Sequence, residues 1–235
     1  WTLAVALFGL AWSFSRAGRQ TAEQNACSFW LMFTLVQAFF LLIATTVSNA
    51  FVQLSPPPAE GNGLNPLLQH PGMVFHPPLL FIGYAGLTVP AALGLGTLFA
   101  PDDDWLVRVR NWTLLAWIFL TAGIVLGAWW SYMELGWGGY WAWDPVENAS
   151  LIPWLASSAF VHTAVIGRKG RALGRTNVAL AGLSLVLCLL ATFVTRSGML
   201  DSLHAFGAHG VGLPLIWAIA FGVVFICMAS LGSRT

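Results

Sequence analysis

Long apolar stretches alternate with short polar ones along this chain, a pattern typical of a protein that crosses a membrane several times. Six stretches approach the ~20 residues that a spanning helix needs, and an earlier apolar run that ends near Ser15 is shorter. The predicted fold is therefore all-α, a polytopic transmembrane helix bundle of about seven segments, the first of them truncated. The six fuller helices are expected at residues 26–48, 79–100, 112–130, 149–167, 177–195 and 213–231.

The composition agrees with a membrane protein and excludes a soluble one. Of the residues, 57% are hydrophobic and 8% are charged, and the mean hydropathy is +0.74. This leaves too little polar surface to cover a soluble globule of 235 residues. The net charge of +1 comes with few and scattered basic residues, so nucleic acid is not expected as a partner.

The three cysteines are expected to be buried and inert thiols. They lie in apolar segments, and they form neither a CxxC pair nor a CxxCH sequence for haem attachment. These cysteines are Cys27, Cys188 and Cys227.

The chain is expected to be a fragment of a longer polypeptide and to form a single membrane domain over residues 1–235. It begins with Trp1 rather than with methionine, and its opening apolar run is too short to span a membrane. The predicted loops are short and leave no room for a separate soluble domain. The longest of them, at residues 49–78, contains Ser-Pro-Pro-Pro and Gly-Asn-Gly, which favour extended and turning backbone.

Basic residues are distributed unequally between the two sets of loops. One set, together with the C-terminal tail, carries nine arginines and lysines, whereas the alternate set carries only Arg196. Because cytoplasmic loops of membrane proteins are enriched in Lys and Arg, the weakly basic set is expected to face the non-cytoplasmic side. That outward set comprises the loops at residues 49–78, 131–148 and 196–212.

The second outward loop contains the most unusual sequence in the chain, and we define residues 131–150 as the tryptophan segment. Between Trp137 and Asn148 it contains three tryptophans, a tyrosine and a proline, in the order WGGYWAWDPVEN. Aromatic faces at this density are expected to form a broad, flat surface, which suits a planar apolar ligand such as a porphyrin. A belt of interfacial aromatic residues is the alternative interpretation, and it explains two or three of the rings.

The histidines are also distributed unevenly. Only His162 is expected inside a helix, and the other four lie in outward loops or at their edges. Neutral imidazole is a good axial ligand for haem iron, and two histidines on opposite sides of an aromatic surface would hold a porphyrin. Zinc is an alternative, although no cysteine or carboxylate lies at ligand spacing. Each outward histidine can also be explained as an interfacial hydrogen-bonding residue. The four are His70, His76, His204 and His209.

Asp144, Pro145 and Glu147 match the start of a helix, with Asp at the N-cap, Pro at the first helical position and Glu at the third. Capping is the expected main role of both carboxylates. Proton transfer in catalysis, or contact with substrate, is the alternative role for Asp144 and Glu147.

His162 lies deep in its predicted helix. It follows Pro145 by 17 residues, which is roughly 25 Å along a helix axis and too far for a ligand shared with the tryptophan segment. Asn148, Ser158 and His162 share one helical face, which is expected to face the bundle interior. An ionisable residue at this depth is a candidate ligand of a second haem, and a hydrogen bond to a neighbouring helix is the alternative.

Arg196 is the sole cation of the outward loops. Its guanidinium is suited to pairing with a haem propionate, because the two groups match in fork geometry. Snorkelling to the membrane surface, with Asp201 as a partner, is an alternative of equal weight.

Several of these sequences occur together in one known family. WGGYWAWDPVENASLIPWL, at residues 137–155, resembles the tryptophan-rich haem segment of the CcmF-like haem lyase subunits of cytochrome c maturation. FHPPLLFIGY, at residues 75–84, resembles the segment that carries the first outward haem histidine of that family. TRSGMLDSLHAF, at residues 195–206, resembles the segment that carries the second, and the whole resemblance extends over about residues 26–212.

The resemblance implies that His76 and His204 ligate the iron of an outer haem above the tryptophan segment. It also implies that His162 ligates an intramembrane b-type haem, whose second ligand lies outside this chain. His70 and His209 match no position of the family's motifs. From the residues and the resemblance together, we expect haem contacts from Trp137, Trp141, Trp143, Asp144, Asn148 and Arg196.

In such a protein, haem arrives from a membrane-anchored haem chaperone and is positioned for thioether attachment to the CxxCH sequence of apocytochrome c. The implied partners include other cytochrome c maturation subunits and the lipid bilayer, and the implied location is the bacterial inner membrane with the haem site on the periplasmic side. A haem exporter or relay that forms no bond is the alternative function, although the chain has no nucleotide-binding motif to drive export. A purely structural helix bundle is a third interpretation.

Overall fold

The computed structural model describes residues 1–53, 55–61, 63–167, 173–200, 202 and 210–232. Within these ranges the chain forms α-helices and one 3-10 turn, Pro66–Leu68, and no β-strand, so the predicted all-α fold is confirmed. The helices are α1 Thr2–Phe14, α2 Arg16–Arg19, α3 Glu23–Thr45, α4 Gly72–Gly86, α5 Thr88–Gly96, α6 Trp105–Glu134, α7 Pro145–Gly167, α8 Gly174–Arg196 and α9 Gly212–Gly232.

In the part of the chain that the structure describes, six segments are long and apolar enough to cross a membrane, as hydropathy predicts. They are α3, α4 with α5, α6, α7, α8 and α9, and α1 is apolar but shorter. α6 begins at Trp105 rather than at residue 112. Its first turn contains Arg108, although a positive charge is unfavourable at the N-terminal end of a helix. A salt bridge from the Arg108 guanidinium to Asp102 offsets this effect.

The predicted start of the second spanning helix, at residue 79, is wrong. α4 begins at Gly72 and contains Pro77 and Pro78. A proline lacks an N–H group and crowds the preceding turn, so a pair of prolines favours a helix boundary in the sequence. In the structure, the helix continues through both prolines, and the neighbouring residues His76 and Leu80 pack closely against Gly127 and Gly123 of α6. A break occurs instead at Leu87, shortly before Pro90, where α4 ends and α5 begins.

α5 lies at the centre of the bundle. It contacts α1, α3, α6 and α8, and every residue from Thr88 to Gly94 is buried. Around it, large aromatic side chains from several helices fill the core. Among them, Trp105 and Phe160 stack with ring centroids 5.8 Å apart and planes 13° apart. This stack fixes the start of α6 against α7, at the end of α6 away from the tryptophan segment.

α4 and α6 pack closely through glycines. A Cβ atom at Gly83 would lie 2.6 Å from the backbone nitrogen of Leu120, and one at Gly123 would lie 2.7 Å from that of Leu80. Small residues therefore let the two backbones approach each other, as they do in helix pairs of membrane proteins generally. Gly123 and Gly127 of α6 follow the Gly-x-x-x-Gly spacing that is typical of such contacts.

Two tryptophans join α6 to α7 by reciprocal hydrogen bonds. The indole N–H of Trp117 donates to Ser158 Oγ, and the indole N–H of Trp154 donates to Thr121 Oγ1, each over 2.8 Å. The two indole rings stack with centroids 5.6 Å apart. Each hydroxyl in turn donates to a carbonyl of its own helix, so the four donors of this contact are all paired.

We expect Trp154→Phe to lower the free energy of unfolding by about 1 kcal/mol, because one indole hydrogen bond is lost while an aromatic ring remains for stacking. Thermal unfolding of the full-length protein in detergent, followed by circular dichroism, measures the change. Trp217→Phe is the matched control, since Trp217 is exposed on α9. An equal loss in both variants would show that the bond to Thr121 contributes nothing.

The expectation that all three cysteines are buried is wrong for two of them. Cys188 is buried, whereas Cys27 and Cys227 are exposed on α3 and α9. The exposed surface of a spanning helix is itself apolar, because it faces lipid. An apolar sequence therefore does not distinguish a cysteine in the protein core from one at the lipid surface.

Candidate functional site

The tryptophan segment links the end of α6 to the start of α7, and its residues 135–144 are not helical. Gly136 and Gly138 have φ angles of +66° and +70°, a conformation that glycine adopts without strain. Trp143 has a φ angle of +60°, which is uncommon for a bulky side chain. Strained backbone of this kind occurs preferentially at functional sites, which supports a functional role for this turn.

The aromatic rings of the segment do not form one flat surface, contrary to the prediction. The rings of Trp141 and Trp143 are 6.3 Å apart and nearly perpendicular, at 86°. Edge-to-face packing is a preferred arrangement of aromatic pairs, and the sequence does not distinguish it from coplanar rings. Trp137 and Trp141 are half-buried, whereas Trp143 is 71% exposed and Tyr140 is 58% exposed. Separate ring faces, rather than one plane, are therefore available to a ligand.

Asp144 and Glu147 cap α7, as predicted. The backbone N–H of Val146 donates to Asp144 Oδ2 over 2.9 Å. Glu147 reaches back, and its Oε2 accepts from the backbone N–H groups of Ala142 at 2.9 Å and Asp144 at 3.2 Å. This is a capping box with one additional bond. Glu147 consequently fixes the backbone of the tryptophan segment as well as the end of the helix.

Two further side-chain bonds hold the segment. Asn148 Nδ2 donates to the carbonyl oxygen of Trp143 over 2.9 Å, which supports the strained turn. Ser202 Oγ donates to Asp144 Oδ2 over 2.8 Å, which joins the segment to the outward loop that follows α8. His204, the second predicted outer ligand, lies two positions further along the sequence and is outside the described residues, as are Asp201 and His209.

His76 lies in α4 and not in a loop, so the prediction that only His162 falls inside a helix is wrong. Its ring packs against α6, where Nδ1 lies 2.7 Å from the carbonyl oxygen of Gly123. Because a carbonyl oxygen only accepts, Nδ1 donates, and the lone pair of the neutral imidazole is then at Nε2. Metal-binding histidines in proteins commonly have this arrangement, with one ring nitrogen donating to a carbonyl.

Gly127 makes the room for the ring of His76. A Cβ atom at Gly127 would lie 2.5 Å from Cε1 and 2.7 Å from Nδ1 of His76. Gly127 is not among the residues that the sequence predicts for the site. Its Gly-x-x-x-Gly spacing with Gly123 is the signal that predicts a close approach at this point of α6.

His76 and the tryptophan segment meet at one small cavity. His76 from α4, Gly127 from α6, Trp141 from the segment and Glu147 from α7 are among the residues that line it. The structure thus brings together three of the predicted site residues, from parts of the chain that are far apart in sequence.

Residues 1–200 match the sequence profile of the family described as Cytochrome C assembly protein. The chain belongs to this family. It is 44% identical over 224 residues to the Cytochrome c-type biogenesis protein ccl1 of Rhodobacter capsulatus, a match that covers 94% of this chain and 34% of that protein. It is 41% identical over 240 residues to the Cytochrome c-type biogenesis protein CcmF of Escherichia coli, covering 100% of this chain and 36% of that protein.

The fold matches a solved structure of the same family. The Cytochrome c Heme Lyase CcmF superimposes with a TM-score of 0.80 at 34% sequence identity, over 100% of this chain and 35% of that one. The resemblance to CcmF-like proteins is therefore confirmed, and so is the polytopic membrane bundle. The chain spans about a third of the length of the relatives it matches.

In this member of the cytochrome c assembly family, His162 lies on the outer surface of α7. Its side chain is exposed, and Nδ1 lies 2.7 Å from the carbonyl oxygen of Ser158, so that Nδ1 donates here too. The predicted interior position is wrong for His162, whereas Ser158 is half-buried and accepts from Trp117 of α6. The buried residues of this part of α7 include Ser157 and Phe160.

Arg196 is the last residue of α8 and is exposed. Together with Ser48 and Thr192 it lines a cavity of about 380 Å³, which shares no described lining residue with the cavity at His76.

His70, which matches no motif of the family, fixes the start of α4. Its Nδ1 accepts from the backbone N–H of Gly72 over 3.0 Å, and its Nε2 lies 3.8 Å from Glu134 Oε1 at the end of α6. Its ring lies 5.1 Å from that of Trp129. These contacts hold the first turns of α4 against α6 and thereby support the position of His76.

Proposed function

We propose that the chain is the haem-handling part of a cytochrome c haem lyase. It receives haem from a membrane-anchored haem chaperone and positions it for thioether attachment to the CxxCH sequence of apocytochrome c. The observation that carries this proposal is the setting of His76, whose Nδ1 donates to Gly123 and whose ring lies at the same cavity as Trp141. An imidazole with its lone pair at Nε2, next to tryptophan rings, suits an iron porphyrin.

Haem is the substrate in this proposal, and the contribution of the protein is positioning. His76 supplies one axial nitrogen and His204 the other, and Trp143 offers an exposed ring face to the porphyrin. The hydrogen bond from Ser202 to Asp144 supports the pairing of the two histidines, because it joins the loop of His204 to the tryptophan segment. Further haem contacts are proposed for Trp137, Trp141 and Asn148.

Thioether formation adds a thiol across a vinyl group of the substrate. The sulfur bonds to one vinyl carbon and a hydrogen to the other, so the addition needs no nucleophile from this chain. Asp144 and Glu147 both accept backbone bonds at the start of α7. Their proposed role is to hold the tryptophan segment in place rather than to transfer protons.

We propose that His162 would ligate an intramembrane b-type haem. Its exposed ring, with Nδ1 bonded to Ser158 and the lone pair at Nε2, fits such a role. The other ligand comes from outside this chain in this proposal, because roughly 25 Å of helix separates His162 from the tryptophan segment. When bound, this group supplies electron transfer.

The proposed location is the bacterial inner membrane, with the tryptophan segment on the periplasmic side. The unequal distribution of basic residues supports this orientation. Arg108 and Arg175 lie in the first turns of α6 and α8 rather than in loops, which leaves both at the same membrane face. Apocytochrome c, the haem chaperone and other maturation subunits are the proposed partners, and lipid surrounds the bundle.

The visible absorption spectrum of the full-length protein, purified with its haem chaperone, tests these roles. We expect His76→Ala and His204→Ala each to lose the chaperone-delivered haem by about tenfold or more, since losing one strong ligand interaction costs over 1.4 kcal/mol. His162→Ala is expected to lose only a distinct b-type signal. His209→Ala, at a position outside the motifs, is the control and keeps both signals.

Unchanged spectra in the three site variants would remove haem ligation from these residues. Haem that enters from the cytoplasmic side without the chaperone would favour the exporter instead.

A further inference from the structure

A small cavity lies beneath the tryptophan segment, between α4, α6 and α7. Its volume is about 40 Å³, and His76, Trp141, Glu147 and Ser150 are among the residues that line it. Haem is far too large for this space. A water molecule fits, since it needs roughly 10–15 Å³ of accessible volume.

Two residues that line this cavity each have a buried polar atom without a hydrogen-bond partner among the residues that the structure describes. One is Oε1 of Glu147, a residue that is 7% exposed, and the other is Nε1 of Trp141. The second carboxylate oxygen of Glu147 accepts two backbone bonds, so the side chain is fixed with Oε1 left over. Buried polar atoms in folded proteins are almost always paired, and these two point to an occupant.

The donors and acceptors of the residues that line the cavity determine which molecule can occupy it. The indole N–H of Trp141 only donates, whereas Oε1 of Glu147 accepts. Ser150 Oγ donates to the carbonyl oxygen of Glu147 over 2.7 Å and still has lone pairs with which to accept. The occupant must therefore accept one bond and donate up to two. An ammonium ion has no lone pair for the indole, and a chloride ion would be repelled by the carboxylate, whereas water meets all three requirements.

We propose that this cavity binds one structural water molecule, which accepts from Trp141 and donates to Glu147 and Ser150. The water joins the tryptophan segment to the first turn of α7, at the point where His76 of α4 lines the same space. Trp141 and Glu147 are thereby positioning residues for the His76 ring. That consequence rests on the proposed function, whereas the water site itself does not.

A structure of the full-length protein in lipid nanodiscs, at a resolution that reveals ordered water, tests the proposal. We expect a density peak within hydrogen-bond distance of both Trp141 Nε1 and Glu147 Oε1. In Trp141→Phe, which keeps a ring and removes the donor, the peak is expected to fall below about half its height, because the water loses one of its three partners. Trp143→Phe is the matched control for the peak, since the Trp143 ring is exposed.

Two results would overturn the water site. One is a wild-type map without the peak, or with the indole bonded directly to Glu147. The other is an equal peak in Trp141→Phe and Trp143→Phe, which would mean that the indole does not hold the molecule. The wild-type map alone shows whether the density peak is present, even if a variant fails to fold. If the peak is present and His76→Ala keeps its haem, the proposed function fails while the water site stands.

Discussion

Replacement of Gly127 by alanine is expected to remove haem from the outer site and to lower cytochrome c maturation by about tenfold or more. The new Cβ atom would lie 2.5 Å from Cε1, 2.7 Å from Nδ1 and 3.1 Å from Nε2 of His76. Separation of the two helices would lose the close contact between Gly123 and the backbone of Leu80, so it is unfavourable. The ring must therefore rotate and give up its bond to Gly123. Overpacking of this kind costs about 1–3 kcal/mol, and 1.4 kcal/mol corresponds to a factor of ten.

Two other glycines provide the controls for this experiment. A Cβ atom at Gly61 meets nothing within 4 Å, so Gly61→Ala is expected to behave as the wild type. Gly123→Ala presses on the backbone of Leu80 and is expected to loosen α4 from α6 as a whole, with a fall in both Tm and haem content. Gly127→Ala should lose haem with a smaller change in Tm. Wild-type haem content in Gly127→Ala would contradict the assignment of His76 as a ligand.

The last two spanning helices could be predicted closely because their lengths are set by the membrane, whereas α4 and α6 begin before their predicted starts. The apolar run at residues 213–231 is α9 within a residue at each end, and the run at 177–195 lies inside α8. A segment that crosses the hydrocarbon core must satisfy all its backbone groups internally, so a sufficiently long apolar run becomes a helix. This rule depends on composition alone and needs no knowledge of neighbouring helices.

The orientation of each helix about its own axis could not be predicted by the same rule. In a soluble protein, polar positions mark the outer face of a helix, but in a membrane both the core and the lipid surface are apolar. His162 was therefore expected on the wrong face of α7, and Cys27 and Cys227 were expected inside the bundle but are exposed. Helix contacts were set instead by small residues, such as Gly123 and Gly127.

In the candidate site, contacts between neighbours in sequence could be predicted, whereas contacts between distant residues could not. The cap at Asp144 and Glu147 was predictable, because a capping box is formed by residues that are neighbours in sequence. The hydrogen bond between His76 and Gly123 joins residues 47 positions apart, and no local pattern specifies it. The perpendicular packing of Trp141 and Trp143 depends likewise on the turn between them, where Trp143 has a positive φ angle.

Glu147→Ala is expected to lower haem content and cytochrome c maturation by about tenfold, whereas Glu147→Gln is expected to stay within about threefold of the wild type. Alanine leaves the backbone N–H groups of Ala142 and Asp144 without the oxygen that accepts from them. Losing the partner of a buried donor costs about 1–3 kcal/mol, and partial access of water to this turn places the total near the lower end. Haem content per protein and the rate of apocytochrome conversion measure both variants.

The Glu147→Gln variant distinguishes a capping role of Glu147 from a role in proton transfer. Its amide oxygen must take the place of Oε2, because only an oxygen can accept from the two backbone N–H groups, and its NH₂ group then faces the cavity. The backbone of the tryptophan segment is thus retained while the titratable proton is lost. Glu60→Gln, at an exposed position in the loop before α4, controls for the loss of a negative charge. Since Oε1 is buried and Oε2 already accepts two bonds, a capping role predicts activity in Glu147→Gln and failure in Glu147→Ala. Equal failure of the two would instead make the proton of Glu147 part of the reaction.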